Sequence, residues 1–256
     1  MTRRDERAVS DVIGFMLVFG LVATTVAIIS VSGLNTLQHT RNAEQINNAE
    51  RAFDVLADNM ADIYRSGAPH RATEISLENA QLNTATTVKM NVSGIDSGGN
   101  RHTISDVQAQ PIVWESSQDS TQIAYSLGGI VRASRQGGVM VHAPPFVFDD
   151  HRMLLLIPKT QTNTPKSLGG ATIRVRGNKA RSAGQVLTER LDTYQSLQIN
   201  VTSPRAGVWK RYFEAKAVTQ SCSIDHATGR KRVSCTLDVP DQLYVTVSGI
   251  DMGLEK

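Results

Sequence analysis

The chain has few aromatic residues. They make up 5% of its 256 residues, whereas proteins that bind single-stranded nucleic acid place aromatic side chains among basic ones on one surface. Two basic stretches, at 174–181 and 230–232, are therefore expected to be solvated faces of strands and turns. The net charge of +3 is spread along the chain, and we expect no nucleic-acid partner.

Recognisable catalytic motifs are also missing. The sequence has no Gly-x-Ser-x-Gly, no His-Glu-x-x-His, no phosphate-binding glycine-rich loop and no Cys-x-x-Cys pair. The nearest cluster of candidate ligands is His142, Asp149, Asp150 and His151. Such side chains could bind a metal, but adjacent aspartates before a strand more often form a solvated turn. We expect no enzymatic activity, no bound metal and no cofactor.

Charged residues are absent from positions 12–33. A helix needs roughly 20 residues to cross the ~30 Å hydrocarbon core of a bilayer, so this stretch predicts a retained membrane helix. One alternative is a cleaved secretory signal peptide, although its apolar region is usually only about 7–15 residues long. The other is a buried helix of a soluble domain, which arginines directly before the stretch make less favourable.

Basic residues predict the orientation of this helix. Arg3, Arg4 and Arg7 lie just before it, while only Arg41 and Arg51 lie shortly after it. Because Lys and Arg near a span favour the cytoplasmic side, we expect a single-pass protein with a cytoplasmic N-terminus and an extracellular body.

Positions 35–64 contain neither proline nor glycine. The helix is therefore expected to continue to about residue 64. It would end before Gly67 and Pro69, which are typical of a helix stop. Its apolar residues recur at heptad spacing, and we expect them to pack on the body rather than form a separate coiled coil. This stripe comprises Ile46, Ala49, Phe53, Leu56, Met60 and Ile63.

Beyond Pro69 the pattern changes to short runs of alternating polar and apolar residues. Such runs, separated by turn signals, predict strands with one buried face, and many short strands favour a sandwich or barrel-like body. The polar segment 158–170 is expected to be a long exposed loop. The predicted strands lie at 87–92, 112–114, 122–125, 129–132, 139–141, 153–157, 172–176, 196–201 and 243–247.

The segment 203–213 interrupts the strands and predicts a helix, with Ser203 as the N-cap and Pro204 at the first helical position. Trp209, Tyr212 and Phe213 share one face of it. We expect this aromatic face to pack on a sheet. A ligand-stacking site is the alternative.

The chain has only two cysteines, Cys222 and Cys235. Two strands joined by a turn at 226–230 would bring them together, and an even cysteine count in an extracellular body favours a disulfide. A pair of free thiols in the core is the alternative. Asn91 and Asn200 lie in N-glycosylation sequons, so a glycoprotein is expected, although Asn200 lies in a predicted strand and its use depends on facing solvent.

The N-terminal residues Arg7-Ala8-Val9-Ser10-Asp11-Val12-Ile13-Gly14, followed at once by the apolar helix, resemble the start of archaeal type IV pilins and archaellins, particularly those of haloarchaea. The resemblance covers about residues 3–34. It implies that a prepilin peptidase removes the leader on the cytoplasmic side, between Ala8 and Val9. It also implies that the helix then stays in the membrane or packs in the core of a filament.

Together, these observations predict an α+β chain in the lollipop layout of pilins. We expect a short basic leader at 1–8, a transmembrane or pilin-like helix at 9–34, an amphipathic extension at 35–66 and an extracellular, mainly antiparallel β-rich domain at 67–256. The expected function is that of a pilin-like surface protein, anchored or assembled into a filament by self-association. The alternative is a permanently anchored surface protein whose β domain binds a ligand or a partner.

Overall fold

The computed structural model describes the backbone of residues 5–149, 151–162, 167–170, 172–181, 185–189, 191–225 and 231–256. Side chains are described for the same residues except 5–11, 34–35 and 185–189. The chain divides into two compact units, Met1–Gln45 and Ile46–Lys256.

The first helix, α1, extends from Asp5 to Ser66 without interruption. It begins seven residues before the predicted 12 and ends two residues after the predicted 64. No proline occurs before Pro69, and the helix continues through Gly14, Gly20 and Gly33. Gly67 has a positive φ of 74°, a conformation that glycine adopts without steric cost and that commonly ends helices. The N–H of Ala68 then donates to the carbonyl of Asp62 at 3.1 Å, so one of the last helical carbonyls is satisfied.

Within the second unit, the apolar stripe of α1 is part of the hydrophobic core of the body, as the heptad spacing predicted. Phe53 and Leu56 are fully buried, and Ile46 is partly buried against the same cluster. This cluster, called the α1 core below, also contains side chains from the strands that cover the helix. Its members on α1 are Ala49, Phe53, Leu56, Ala57, Met60 and Ile63.

Strands dominate the described part of the body. All nine predicted strands are present, and the predicted α+β class, with one long N-terminal helix before a mainly antiparallel β body, is confirmed. The strands are β1 (His70–Ser76), β2 (Ala80–Asn83), β3 (Val88–Asp96), β4 (Arg101–Ala109), β5 (Ile112–Ser116), β6 (Gln122–Ser126), β7 (Gly129–Ser134), β8 (Gly137–His142), β9 (Phe146–Phe148), β10 (Arg152–Gln161), β11 (Ser167–Gly169), β12 (Thr172–Lys179), β13 (Gln185–Glu189), β14 (Tyr194–Thr202), β15 (Thr219–Asp225), β16 (Arg232–Leu237) and β17 (Gln242–Glu255).

These strands form three sheets. Sheet A has the order β1-β12-β17-β10-β9, and β13 also pairs with β17. Sheet B has the order β11-β2-β5-β6-β7-β8, and sheet C the order β15-β16-β14-β3-β4. Neighbouring strands are antiparallel except for β10 and β17, which pair in parallel.

The predicted exposed loop at 158–170 is shorter than expected, because β10 continues through Pro158 to Gln161. Proline is tolerated in a strand where its missing N–H leaves no ladder bond unmade. Pro158 meets this condition. The N–H of Leu156, two residues earlier on the same side of β10, donates to Pro145 and not to β17, and β9 pairs only with residues 153–155. Residues 163–166 lie outside the described part of the chain, and β11 follows them.

The second helix, α2 (Ala206–Glu214), begins two residues later than predicted, at Ala206 rather than at Pro204. Arg205 occupies the cap position, and Ser203 instead accepts a hydrogen bond from the backbone N–H of Arg205 at 3.1 Å. A serine hydroxyl often accepts the backbone N–H two residues later and so forms a turn before a helix begins. This turn places Arg205, and not Ser203, at the N-cap.

The aromatic face of α2 packs into a second hydrophobic cluster, called the α2 core, as predicted. Trp209, Tyr212 and Phe213 are at most 9% exposed. They contact one another at centroid distances of 5.3–6.0 Å, and Phe148 meets Phe213 edge-on at 6.1 Å. The α2 core is completed by the inner face of sheet C and the first halves of β10 and β17.

Candidate functional site

The apolar stretch of α1 is unusual for its exposure. Every described side chain from residue 12 to residue 33 is exposed, for example Phe15 at 71% and Leu17 at 70%. Among the described residues, α1 is the one helix that is long and apolar enough to cross a membrane. Arg7, Ala8 and Val9 lie at its start, but their side chains are outside the described part of the chain.

Hydroxyl groups on this stretch are satisfied within the helix. The Oγ1 atoms of Thr24 and Thr25 donate to the carbonyls of Gly20 and Leu21 at 2.7 and 2.8 Å. Since a hydroxyl bonded to the preceding turn needs no water, these residues can lie in lipid or against another helix. The stretch therefore exposes almost purely apolar surface.

Two ion pairs link the amphipathic half of α1 to strands of the body. Arg132 donates to Glu50 at 2.8 Å, and Arg71 donates to Asp62 at 2.9 Å. All four side chains are partly exposed, so each pair contributes little beyond about 1 kcal/mol. The helix is held chiefly by the buried stripe, and the ion pairs help to fix its register.

The two cysteines form the predicted disulfide. Cys222 on β15 lies directly opposite Cys235 on β16, and their sulfur atoms are bonded. Cys235 is fully buried in the α2 core, and Cys222 packs against that core. The predicted turn at 226–230 lies outside the described residues.

The two sequon asparagines are directly opposite each other on sheet C. Asn200 is only 8% exposed, and its amide nitrogen is directed at Asn91 and Gln198. The hydroxyl of Ser234 donates to its amide oxygen at 2.6 Å. Glycosylation of Asn200 was expected only if its side chain faced solvent, and the side chain is buried. Asn91 is half-buried and donates to the carbonyl of Ser105, so its glycosylation remains a prediction.

The cluster considered as a metal site has the geometry of a hydrogen-bonded turn. The Nδ1 atom of His151 lies 2.8 Å from a carboxylate oxygen of Asp241, and its backbone N–H donates to Asp149. His142 is exposed at the end of β8, and Asp150 lies outside the described residues. Among the side chains that are described, no three His, Cys, Asp or Glu residues gather as metal ligands.

The basic stretch of β12 is partly neutralised by its neighbours. Arg174 donates to Glu74 of β1 at 3.0 Å, and Glu255 of β17 lies opposite it on the other side. Arg176 is exposed beside them. These side chains form a solvated sheet face of mixed charge, as expected. In the second stretch, Lys231 and Arg232 are also exposed, and Arg230 lies outside the described residues.

One feature was not predicted from the sequence: a polar cleft between sheet B and the segment that leads into α2. Its walls include Glu115, Gln122, Arg135 and Arg205. Arg205 is 91% buried and lines the cleft, and its guanidinium donates to the Oε1 atom of Gln122, another lining residue, at 2.7 Å. The only signal in the sequence is a basic residue at the start of an otherwise apolar helix face, which is too common to be diagnostic.

Residues 7–253 match the family described as "Family of unknown function (DUF7289)". The chain belongs to this family. No curated protein and no solved structure matches it. The DUF7289 match covers α1 together with almost all of the β body, so the apolar helix and the three-sheet body form one family unit. The description of DUF7289 assigns no activity to either part.

Proposed function

We propose that this DUF7289 protein is a pilin-like cell-surface protein, held by the first half of α1 either in a membrane or in the core of a filament. The proposal rests on one observation. A single unbroken helix exposes apolar side chains at 12–33 and contributes its residues from 46 onward to the core of the body.

The exposed apolar surface of α1 is expected to be buried against lipid or another protein. Burying one large aliphatic or aromatic side chain is worth about 1.5–3 kcal/mol, and contiguous exposed apolar patches above a few hundred Å² mark interaction or membrane surfaces. Phe15, Leu17 and Phe19 are each more than 60% exposed, and Leu21 and Ile29 equally so. Lipid can bury this surface, and so can the apolar helices of neighbouring subunits in a filament.

The body is proposed to face the outside of the cell. Structural disulfides persist in oxidising compartments, which agrees with the bond between Cys222 and Cys235. The arginines before the helix favour a cytoplasmic N-terminus, where a prepilin peptidase would cut between Ala8 and Val9. The proposed partners are therefore the membrane, this peptidase and other pilin-like subunits, including further copies of the chain.

Permanent anchoring without processing is the second candidate function. The polar cleft favours this second function, because a ligand-binding body needs to be held at the membrane but does not need to assemble into a filament. In that case the leader would remain attached, and detergent would release monomers rather than filament fragments.

Intact-mass analysis of the N-terminus in an archaeal host with a prepilin peptidase tests the proposal. We expect the wild-type chain to begin at Val9, and both Arg7→Gln and Ala8→Leu to retain the leader. Arg3→Gln, which changes an equal charge outside the recognised motif, is the matched control and should be cut normally. A wild-type chain that keeps residues 1–8 would overturn processing and favour permanent anchoring.

A further inference from the structure

The polar cleft beside α2 lies wholly within the body. It has a volume of about 380 Å³ and is lined by strands and turns of sheet B on one side and by Pro204 and Arg205 on the other. Ligand sites usually have volumes of about 300–1,000 Å³, so the cleft has room for one small molecule. Among the described residues that line it, only Ala133 and Pro204 have apolar side chains, and this favours a hydrophilic ligand.

Arg205 carries a charge without a matching partner. Its Nη2 atom donates to the neutral amide of Gln122, and its buried Nε atom has no hydrogen-bond partner. No ion pair to Arg205 is present among the described side chains. Burial lowers its pKa, an effect partly offset by the charge of Glu115. Because a buried charge without a counter-ion is costly, an anion bound in the cleft beside the guanidinium would be stabilised, although the Nε atom itself is closed off from the cleft.

Glu115 does not serve as that anion, since other groups already hold its carboxylate. Its two oxygens accept from the amide nitrogens of Gln81 at 3.2 Å and Gln122 at 3.1 Å. Gln122 thus lies between the two charges, with its oxygen on Arg205 and its nitrogen on Glu115. The arrangement keeps Glu115 and Arg205 apart by the width of one amide group.

The remaining wall of the cleft contains Asp119 and Arg135, which have opposite charges, and several hydroxyl groups. Ser116, Ser120 and Ser134 each accept a backbone N–H through Oγ. A hydroxyl group that accepts a hydrogen bond can still rotate to donate its own hydrogen to an acceptor oxygen of a ligand. Arg205 also occupies the N-cap position of α2, without a side-chain capping bond, and the N-terminus of a helix favours negative charge. A ligand with one anionic group and several hydroxyl oxygens matches these groups best.

We propose that the cleft binds a small hydroxylated carboxylate of the hexuronic acid class, with its carboxylate on Arg205 and its ring oxygens on the serine hydroxyls. Arginine presents a planar fork that matches a carboxylate in shape and charge. The assignment is independent of leader processing and of filament assembly, because every group involved belongs to the body.

Isothermal titration of the full chain in detergent micelles tests this assignment, with glucuronate as the ligand and glucose, acetate and inorganic phosphate as comparisons. We expect glucuronate to bind, and glucose and acetate to bind at least about tenfold more weakly. Arg205→Met should weaken glucuronate binding by about 10- to 100-fold, as expected for loss of a charged hydrogen bond. Arg176→Met, at an exposed arginine of β12, is the matched control and should retain wild-type affinity.

A second variant keeps the test valid if Arg205→Met fails to fold. The exchange Glu115→Gln with Gln122→Glu preserves composition but places a carboxylate directly on Arg205. It should fold with the circular dichroism spectrum of the wild type and lose glucuronate binding. Retained binding in either folded variant, preference for phosphate over glucuronate, or no binding to the wild-type chain would overturn the proposal.

Discussion

The Sδ atom of Met60 lies 2.8 Å from the position that a Cβ atom on Gly177 would occupy. Met60 belongs to the buried stripe of α1 and Gly177 to β12 of sheet A. The helix and the sheet can approach this closely because residue 177 has no side chain.

Replacing Gly177 with valine should therefore destabilise the body. Inserting methyl groups into a packed core typically costs about 1–3 kcal/mol, and denaturant unfolding followed by tryptophan fluorescence would measure the loss. Gly253→Val is the matched control, because a Cβ atom at this strand glycine meets nothing within 4 Å. Equal stabilities of the two variants would show that the contact between Met60 and Gly177 is not tight in solution.

The stripe on α1 should be much more sensitive to truncation than the outer face of the same helix. Phe53 is fully buried, whereas Val55 is 52% exposed. We expect Phe53→Ala to lower the free energy of unfolding by about 3–5 kcal/mol, because it leaves a cavity. Val55→Ala should change it by less than about 0.5 kcal/mol. Similar losses at both positions would argue that this half of the helix does not pack on the body.

Reduction should destabilise the wild-type body. Closing a loop with a sequence separation of 13 residues between Cys222 and Cys235 stabilises by about 3 kcal/mol in the chain-entropy model. Adding dithiothreitol should lower the melting temperature of the wild type but not that of a Cys222→Ala, Cys235→Ala double variant. If the reductant has no effect on the oxidised wild type, the bond contributes nothing measurable.

Asp96 should make stability depend on pH in the acid range. Its pKa is lowered from 3.8 to about 2, chiefly by its hydrogen bond with His102. The backbone N–H and side chain of Asn100 and the backbone N–H of Gly98 contribute further hydrogen bonds that lower it. A carboxyl group whose pKa falls on folding stabilises the native state above its unfolded pKa. That contribution is lost as the pH falls from about 4 through 2.

Comparing the wild type with Asp96→Asn between pH 7 and pH 2 would measure this contribution. The variant should be less stable at neutral pH, and the difference should shrink towards pH 2. Asp106→Asn, on the exposed face of β4, is the control. If its difference from the wild type follows the same course with pH, the turn at Asp96 has no special role.

The helical part of the fold was predictable because its signals are local. The charge-free stretch at 12–33 and the spacing from Ile46 to Ile63 follow from helix periodicity alone. The predicted disulfide also needed only a turn between two short strands. In each case the residues that set the structure lie close together in the sequence.

Several strands were missed because half or more of their residues are exposed. In β1, Thr73 and Ile75 are the only buried residues, and β4 begins with three exposed ones. Such segments are ordered by pairing with β12 and β3. The cleft was missed for a similar reason: Gln122 and Arg205 are 83 positions apart and meet only in the folded body.

The unbroken course of α1 has a mechanical consequence. A tether that ended in a flexible loop would transmit tension to one terminal strand, which could then peel away one contact after another. Here no loop separates the apolar half of the helix from the stripe that begins at Ile46. Tension along α1 would instead load Phe53, Leu56, Met60 and their neighbours together, in shear, so the attachment to the body should resist pulling as a single unit.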